Sequence, residues 1–166
     1  MTETQLPDIA SLAALDGFAQ LRAIFMGDHP GAPIAETLGL DGFGGEVGAI
    51  HLELTPQLKH YNPLGTVHGG VISTLLDTAA ACSVHSTLAP GETYTSVDLT
   101  VKFLRAVTVE SGRLRCEGSV IQRGRRTALG QAQLYDARRR LVAHATSTCM
   151  IFPADYPADP ARGSTR

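Results

Sequence analysis

Between His60 and Gly91 the chain carries a single Asp, Glu, Lys or Arg, Asp77. The stretch from Val71 to Leu88 is otherwise apolar or small and contains no proline. It predicts one long helix buried on most sides. Val71, Ile72, Leu75, Leu76, Ala79 and Cys82 recur at helical spacing and mark the face expected to pack on the rest of the molecule. Asp77 falls nearly opposite, among Ser73, Thr74, Thr78, Ala81 and His85. A solvated helix face would carry lysine, arginine or glutamate there. This one is small and weakly polar, which suggests cover by another subunit.

Gly69 and Gly70 stand at the start of that helix, just after His68. The first backbone N–H groups of a helix have no intrahelical partner and carry the positive end of its dipole, so they stabilise a carbonyl oxygen or an oxyanion. The missing side chains let a substrate come close. A His-Gly-Gly triplet alone commonly makes only a turn. Its combination with Asn62 six residues before His68 and Asp77 eight residues after Gly69 is far more specific.

The rest of the chain predicts strands around this helix. An amphipathic helix is expected over residues 9–26, ended by Gly27, followed by the breaker-rich link His29-Pro30-Gly31-Ala32-Pro33 and a short helical turn over 34–40. Residues 47–54 alternate as a half-buried strand. Residues 95–105 alternate most cleanly, with Val97, Leu99, Val101 and Phe103 on one face and Ser96, Asp98, Thr100 and Lys102 on the other. Three further strands are expected over 112–122, 127–135 and 141–152, with short links that favour antiparallel neighbours. The pattern is α+β: one long helix packed across one curved antiparallel sheet, with an extra N-terminal helical segment. The expected division is 1–33 for that segment and its linker, 34–152 for the domain, and 153–166 for a proline-bearing disordered tail.

Composition removes several function classes. A chain of 166 residues with net charge −2 offers one domain and no electrostatic case for nucleic acid or an anionic membrane. No apolar run approaches the roughly 20 residues that span a bilayer, and no leader pattern is visible, so a cytoplasmic location is the expectation. Cys82, Cys116 and Cys149 lack zinc or redox spacing, and His51, His60, His85 and His144 lack a metal motif. The cysteines are read as small buried hydrophobes and the histidines as surface or internally satisfied, with no metal and no cofactor expected.

The segments NPLGTVHGGVISTLLDTA and YTSVDLTVKFLRAV resemble the hotdog-fold acyl-CoA thioesterases of the phenylacetic-acid-pathway (PaaI-like) family. The resemblance covers about residues 34–152. It implies a hotdog fold, a dimer with active sites at its interface, dimers that often pair into tetramers, and hydrolysis of acyl-CoA. It further implies that Asp77 is the general base or nucleophile and that Gly69 is the backbone donor to the thioester carbonyl. By the same resemblance Asn62 lies beside the scissile group or the attacking water, His68 and Gly70 shape the pocket, and Ser96 orients the water. Other hotdog activities, an acyl-CoA hydratase or a non-catalytic acyl-CoA-binding module, stand as alternatives.

Simple geometry adds a requirement. Eight helical residues separate Gly69 from Asp77, a rise of about 12 Å, whereas donor and base must each lie about 3 Å from the reacting groups. If both serve one reaction, two subunits must share each site. A thioester carbonyl has little resonance stabilisation, so a polarising N–H and a carboxylate suffice without metal or serine nucleophile. Arg123, Arg125 and Arg126 cluster at an expected turn and could grip coenzyme A phosphates; a charged hairpin is the plain alternative.

Overall fold

The computed structural model describes residues 12–155. One antiparallel sheet wraps a single long helix, as expected. In chain order the elements are α1 (Gly17–Phe25), α2 (Pro33–Leu38), β1 (Leu40–Glu46), β2 (Ala49–Leu54), α3 (Gly69–His85), β3 (Glu92–Ser96), β4 (Thr100–Phe103), β5 (Leu114–Arg123), β6 (Thr127–Tyr135) and β7 (Leu141–Pro153). The strands run β1-β2-β5-β6-β7, and β3 and β4 both pair with β7 at the far edge. Every pairing is antiparallel. α3 touches β2, β5, β6, β7, β3 and β4. A flat sheet of that width would span about 24 Å at about 4.8 Å per strand, twice a helix diameter, so the sheet must curl to keep contact.

The core lies between α3 and the concave sheet face. Leu52, Leu54, Leu75, Leu76, Leu114 and Leu134 are fully buried there. The buried face of α3 is Ile72, Leu75, Leu76, Ala79, Ala80, Ser83 and Val84, whereas Val71 and Cys82 are only half-buried at its margin. Small residues set the closest approach: a methyl group on Gly118 would meet the Ala79 carbonyl oxygen at 2.1 Å. Ser83 makes this contact polar as well as close. Its hydroxyl donates to Ala79 O and accepts from Ile50 N at 3.0 Å, tying the helix to β2.

Three elements differ from the sequence expectation. β1 occupies residues 40–46, where the sequence pattern predicts no strand, because its glycines are strand residues without room for side chains. Gly42 occupies positive φ at a bulge, and a methyl group on Gly44 would strike the paired His51 ring at 2.6 Å. The helix expected over 9–26 is broken at residues 13–16: Leu12 is helical, and α1 starts anew at Gly17, capped by Asp16, whose carboxylate accepts from Ala19 N. The part of the expected helix over 9–11 lies outside the described residues, as do residues 156–166 of the expected tail. The strand expected over 95–105 is interrupted at residues 97–99, giving β3 and β4.

α1 docks on the C-terminal end of α3. Gly17 N donates to Leu88 O, His85 Nε2 meets Gln20 Oε1 at 2.9 Å, and Phe25 stacks on Phe43 at 4.1 Å between ring centres. Part of the weakly polar α3 face is thus covered within the chain by its own N-terminal helix. On the outer face of the sheet, Arg113, Glu53, Arg115, Glu117 and Arg139 form a chain of ion pairs. No helix among the described residues is long and apolar enough to cross a membrane.

Candidate active site

The loop before α3 is built by Asn62. Its Oδ1 accepts from Leu64 N and Thr66 N, and its Nδ2 donates to Thr66 Oγ1 at 3.0 Å. Asn62 therefore folds its own turn, and one amide N–H is left for another partner, since the carboxamide carries two. Val67 N donates to Val107 O and His68 N to His60 O, fixing the entry of the chain into the helix. His60 is buried and satisfied: Gln57 N donates to its Nδ1, which places the ring proton on Nε2, facing Leu38 O at 2.9 Å.

His68 caps the helix. Its Nδ1 accepts from Gly70 N at 2.8 Å. That bond occupies one of the two expected glycine donors and leaves the other. Among the described residues nothing accepts from Gly69 N–H. The Phe103 ring stands beside it, so close that a methyl group on Gly69 would lie 3.1 Å from the ring. Phe103 is 55% exposed although its strand position suggested core. Gly69, Phe103, Ile72 and Val107 line a cleft of about 370 Å³.

Asp77 sits two turns along the same helix, half-buried. Ser96 Oγ donates to its Oδ1 at 3.4 Å. Burial raises the Asp77 carboxyl above the usual aspartate range, and the Ser96 hydrogen bond works in the opposite direction. The titratable neighbours are Cys82 on α3, Tyr94 on β3 and Cys149 on β7. Burial pushes the Cys82 thiol to about 12 and also raises Tyr94 and Cys149, with the Asp77 charge adding to each. All three are neutral at neutral pH, so Asp77 is the one charge in this group. Tyr94, Cys149 and Phe103 carry no functional signal in the sequence, since they stand at ordinary strand positions.

The expected arginine cluster divides. Arg123 is engaged within the chain: its guanidinium donates to Glu92 at 2.7 Å and to Gly124 O. Arg125 and Arg126 are exposed and line a cleft of about 720 Å³ with Thr95, Met150 and Phe152. The structure thus brings Ser96 to Asp77 and groups Asn62, His68, Gly69 and Gly70 at the helix start. It leaves these two groups apart, one at the start of α3 and the other eight residues further along it. Among the described residues, no three His, Cys, Asp or Glu side chains converge as metal ligands.

The Thioesterase superfamily profile matches residues 64–143, from the loop before α3 into β7. A phenylacetic acid degradation-related protein of Ralstonia eutropha JMP134, provisionally named a thioesterase, is 30% identical. It superposes with a TM-score of 0.70 over 77% of this chain and 96% of its own. The E. coli PaaI protein from the phenylacetic acid degradation operon shares the fold at a TM-score of 0.70 and 23% identity, over 83% of this chain and 96% of its own. A provisionally named esterase of Archaeoglobus fulgidus is 24% identical over 66% of this chain and 69% of its own. With 30% identity to the Ralstonia protein over nearly all of that protein's length, and with the profile match from the loop before α3 into β7, this chain belongs to the PaaI-like hotdog thioesterases of the Thioesterase superfamily.

Proposed function

We propose that the protein hydrolyses an acyl-CoA thioester at sites shared between two copies of the chain. The observation that carries this reading is the presence on one helix of a donor with no acceptor among the described residues, Gly69 N–H, and a half-buried carboxylate, Asp77. Their separation of about 12 Å along the helix is too long for one reaction centre. Antiparallel apposition of two α3 helices brings Gly69 of one copy toward Asp77 of the other. The free edge of β3, which bonds only β7 among the described residues, gives a second surface for the same association.

In the reaction, Gly69 N–H polarises the thioester carbonyl and stabilises the oxyanion as it develops. Asp77 either removes a proton from the attacking water or attacks the carbonyl itself; both roles need its ionised form. Ser96 orients the carboxylate or the water, Asn62 offers its remaining amide N–H, and His68 with Gly70 holds the helix start. Arg125 and Arg126 meet the coenzyme A phosphates. Arg123, expected with them as a substrate contact, instead supports the turn through Glu92.

The test uses two differently tagged chains, Asp77→Asn and Gly69→Pro, coexpressed and purified as the mixed dimer. Each homodimer loses thiol release from a panel of acyl-CoAs, and the mixed dimer regains about one of the two sites. Failure of the mixed dimer to recover activity eliminates the shared site. Absence of thiol release by the wild-type protein on every acyl-CoA, with binding retained, supports the non-catalytic module.

A further inference from the structure

The interruption between β3 and β4 is a built feature. Ser96 pairs with Cys149, whereas Thr100 pairs with Thr146, so four steps along one side oppose three along β7. One extra residue is inserted, the definition of a β-bulge. In an unbroken ladder the pair Val97 and Thr148 would exchange two backbone hydrogen bonds. Val97 N does donate to Thr148 O at 2.9 Å, but Thr148 N donates to Asp98 Oδ1, also at 2.9 Å. The Asp98 carboxylate replaces the carbonyl that the bulge turns away. The Asp98 carbonyl in turn accepts from the buried Ser147 hydroxyl at 2.8 Å.

The extra residue decides which side chains face α3. Side chains alternate along a strand, so without it the face of Ser96 would continue through Asp98 and Thr100. With it, Ser96 reaches Asp77 while Leu99 and Val101 still pack against the core. Removing the bulge forces a choice: either Ser96 leaves Asp77 or two apolar side chains leave the core.

We infer that Asp98 is a positioning residue for the hydrolytic site, clamping the bulge that holds the Ser96 hydroxyl on the Asp77 carboxylate. This rests on the proposed role of Asp77 in hydrolysis. Asp98 touches neither substrate nor reacting atoms and acts only through Ser96.

The experiment compares Asp98→Ala, Asp98→Asn, Ser96→Ala and the double variant Ser96→Ala/Asp98→Ala in the full chain. Rates are followed across pH, and Thr148 amide exchange reports the clamp itself. Asp98→Ala should lower kcat roughly three- to tenfold, the worth of one ordinary hydrogen bond. It should also move the acid limb of the kcat profile to higher pH, as Ser96→Ala does, and speed Thr148 amide exchange. The double variant should be no worse than the poorer single variant. Asp98→Asn keeps an acceptor oxygen and should restore both rate and limb. Should Asp98→Ala fail to fold, Ser147→Ala loosens the same bulge from β7 and should move the limb in the same direction. An acid limb fixed at the wild-type position in every soluble variant, or multiplying losses in the double variant, overturns the positioning role. Full activity in Asp77→Asn would instead overturn the hydrolytic reading on which it rests.

Discussion

The Ser96 hydroxyl reaches the Asp77 carboxylate across 3.4 Å, joining an edge strand to the central helix at the lone charge of the helix. The bond opposes the effect of burial, which raises the Asp77 pKa. If hydrolysis needs the ionised carboxylate, kcat rises with pH through the elevated Asp77 pKa. Ser96→Ala removes the opposing bond and should shift that acid limb to higher pH, measurable in kcat profiles from about pH 4 to 8.

Asp77→Asn should abolish turnover while raising stability at neutral pH. A carboxyl whose folded pKa is raised holds its proton more tightly folded than unfolded. Its stabilising contribution is complete below the unfolded pKa and is lost as pH rises through the folded one. The ionised wild-type group therefore costs stability at pH 7, and the neutral amide avoids that cost. Thermal melts at pH 7 should show a higher Tm for Asp77→Asn, with the difference shrinking at acid pH. An unchanged or lower Tm at pH 7 contradicts the burial argument.

The Gly69 donor can be removed with little change in fold. Gly69 is the first helical residue, where proline is well tolerated because the N–H is unpaired in any helix. His68 already has the extended backbone, φ −61 and ψ 136, that a following proline requires. The proline Cβ meets the exposed Phe103 ring, which has room to yield. Gly69→Pro should lower kcat by about 10²- to 10³-fold, the loss found for one oxyanion donor, with the helix content by circular dichroism unchanged.

Much of this architecture was legible in advance. The β6 bounds match the alternation over 127–135, and α3 with Asp77 follows from a run with one charge. What escaped was held by tertiary contact. β1 gives no strand signal because Gly42, Gly44 and Gly45 have no strand propensity, and only His51, Glu53 and the Ala49–Ile50 backbone packed against them require glycine. The bulge is invisible in a clean alternation, since the Asp98 carboxylate replaces a ladder bond with a partner 50 residues away. Arg123 is indistinguishable in composition from Arg125, and Glu92, distant in sequence, separates their roles.

Gly118 provides a stability test independent of the chemistry. It is the point where β5 presses on α3, and a methyl group there would lie 2.1 Å from Ala79 O, 2.4 Å from Ala79 C and 2.7 Å from Ser83 Oγ. Two of those atoms are backbone, so helix and sheet must separate to admit it. Gly118→Ala should cost about 3 kcal/mol or more, at the high end for overpacking, seen as a lower denaturant midpoint with unchanged slope. A change below about 1 kcal/mol would show that the sheet yields easily at this point.

The arginines near the β5–β6 turn should separate by kinetic effect. Arg125 and Arg126 are exposed beside a wide cleft, whereas Arg123 already binds Glu92 and Gly124. Each charge-assisted bond to a phosphate is worth about 1.5–3 kcal/mol. Arg125→Ala/Arg126→Ala should therefore raise KM for an acyl-CoA at least tenfold and flatten its salt dependence. Hydrolysis of a short acyl thioester without the nucleotide should stay level. Arg123→Ala should act differently, leaving the half-buried Glu92 carboxylate with the Ala89 N–H but without its cation, so that Tm falls while KM moves little. Equal KM increases with both thioesters would remove Arg125 and Arg126 from nucleotide binding.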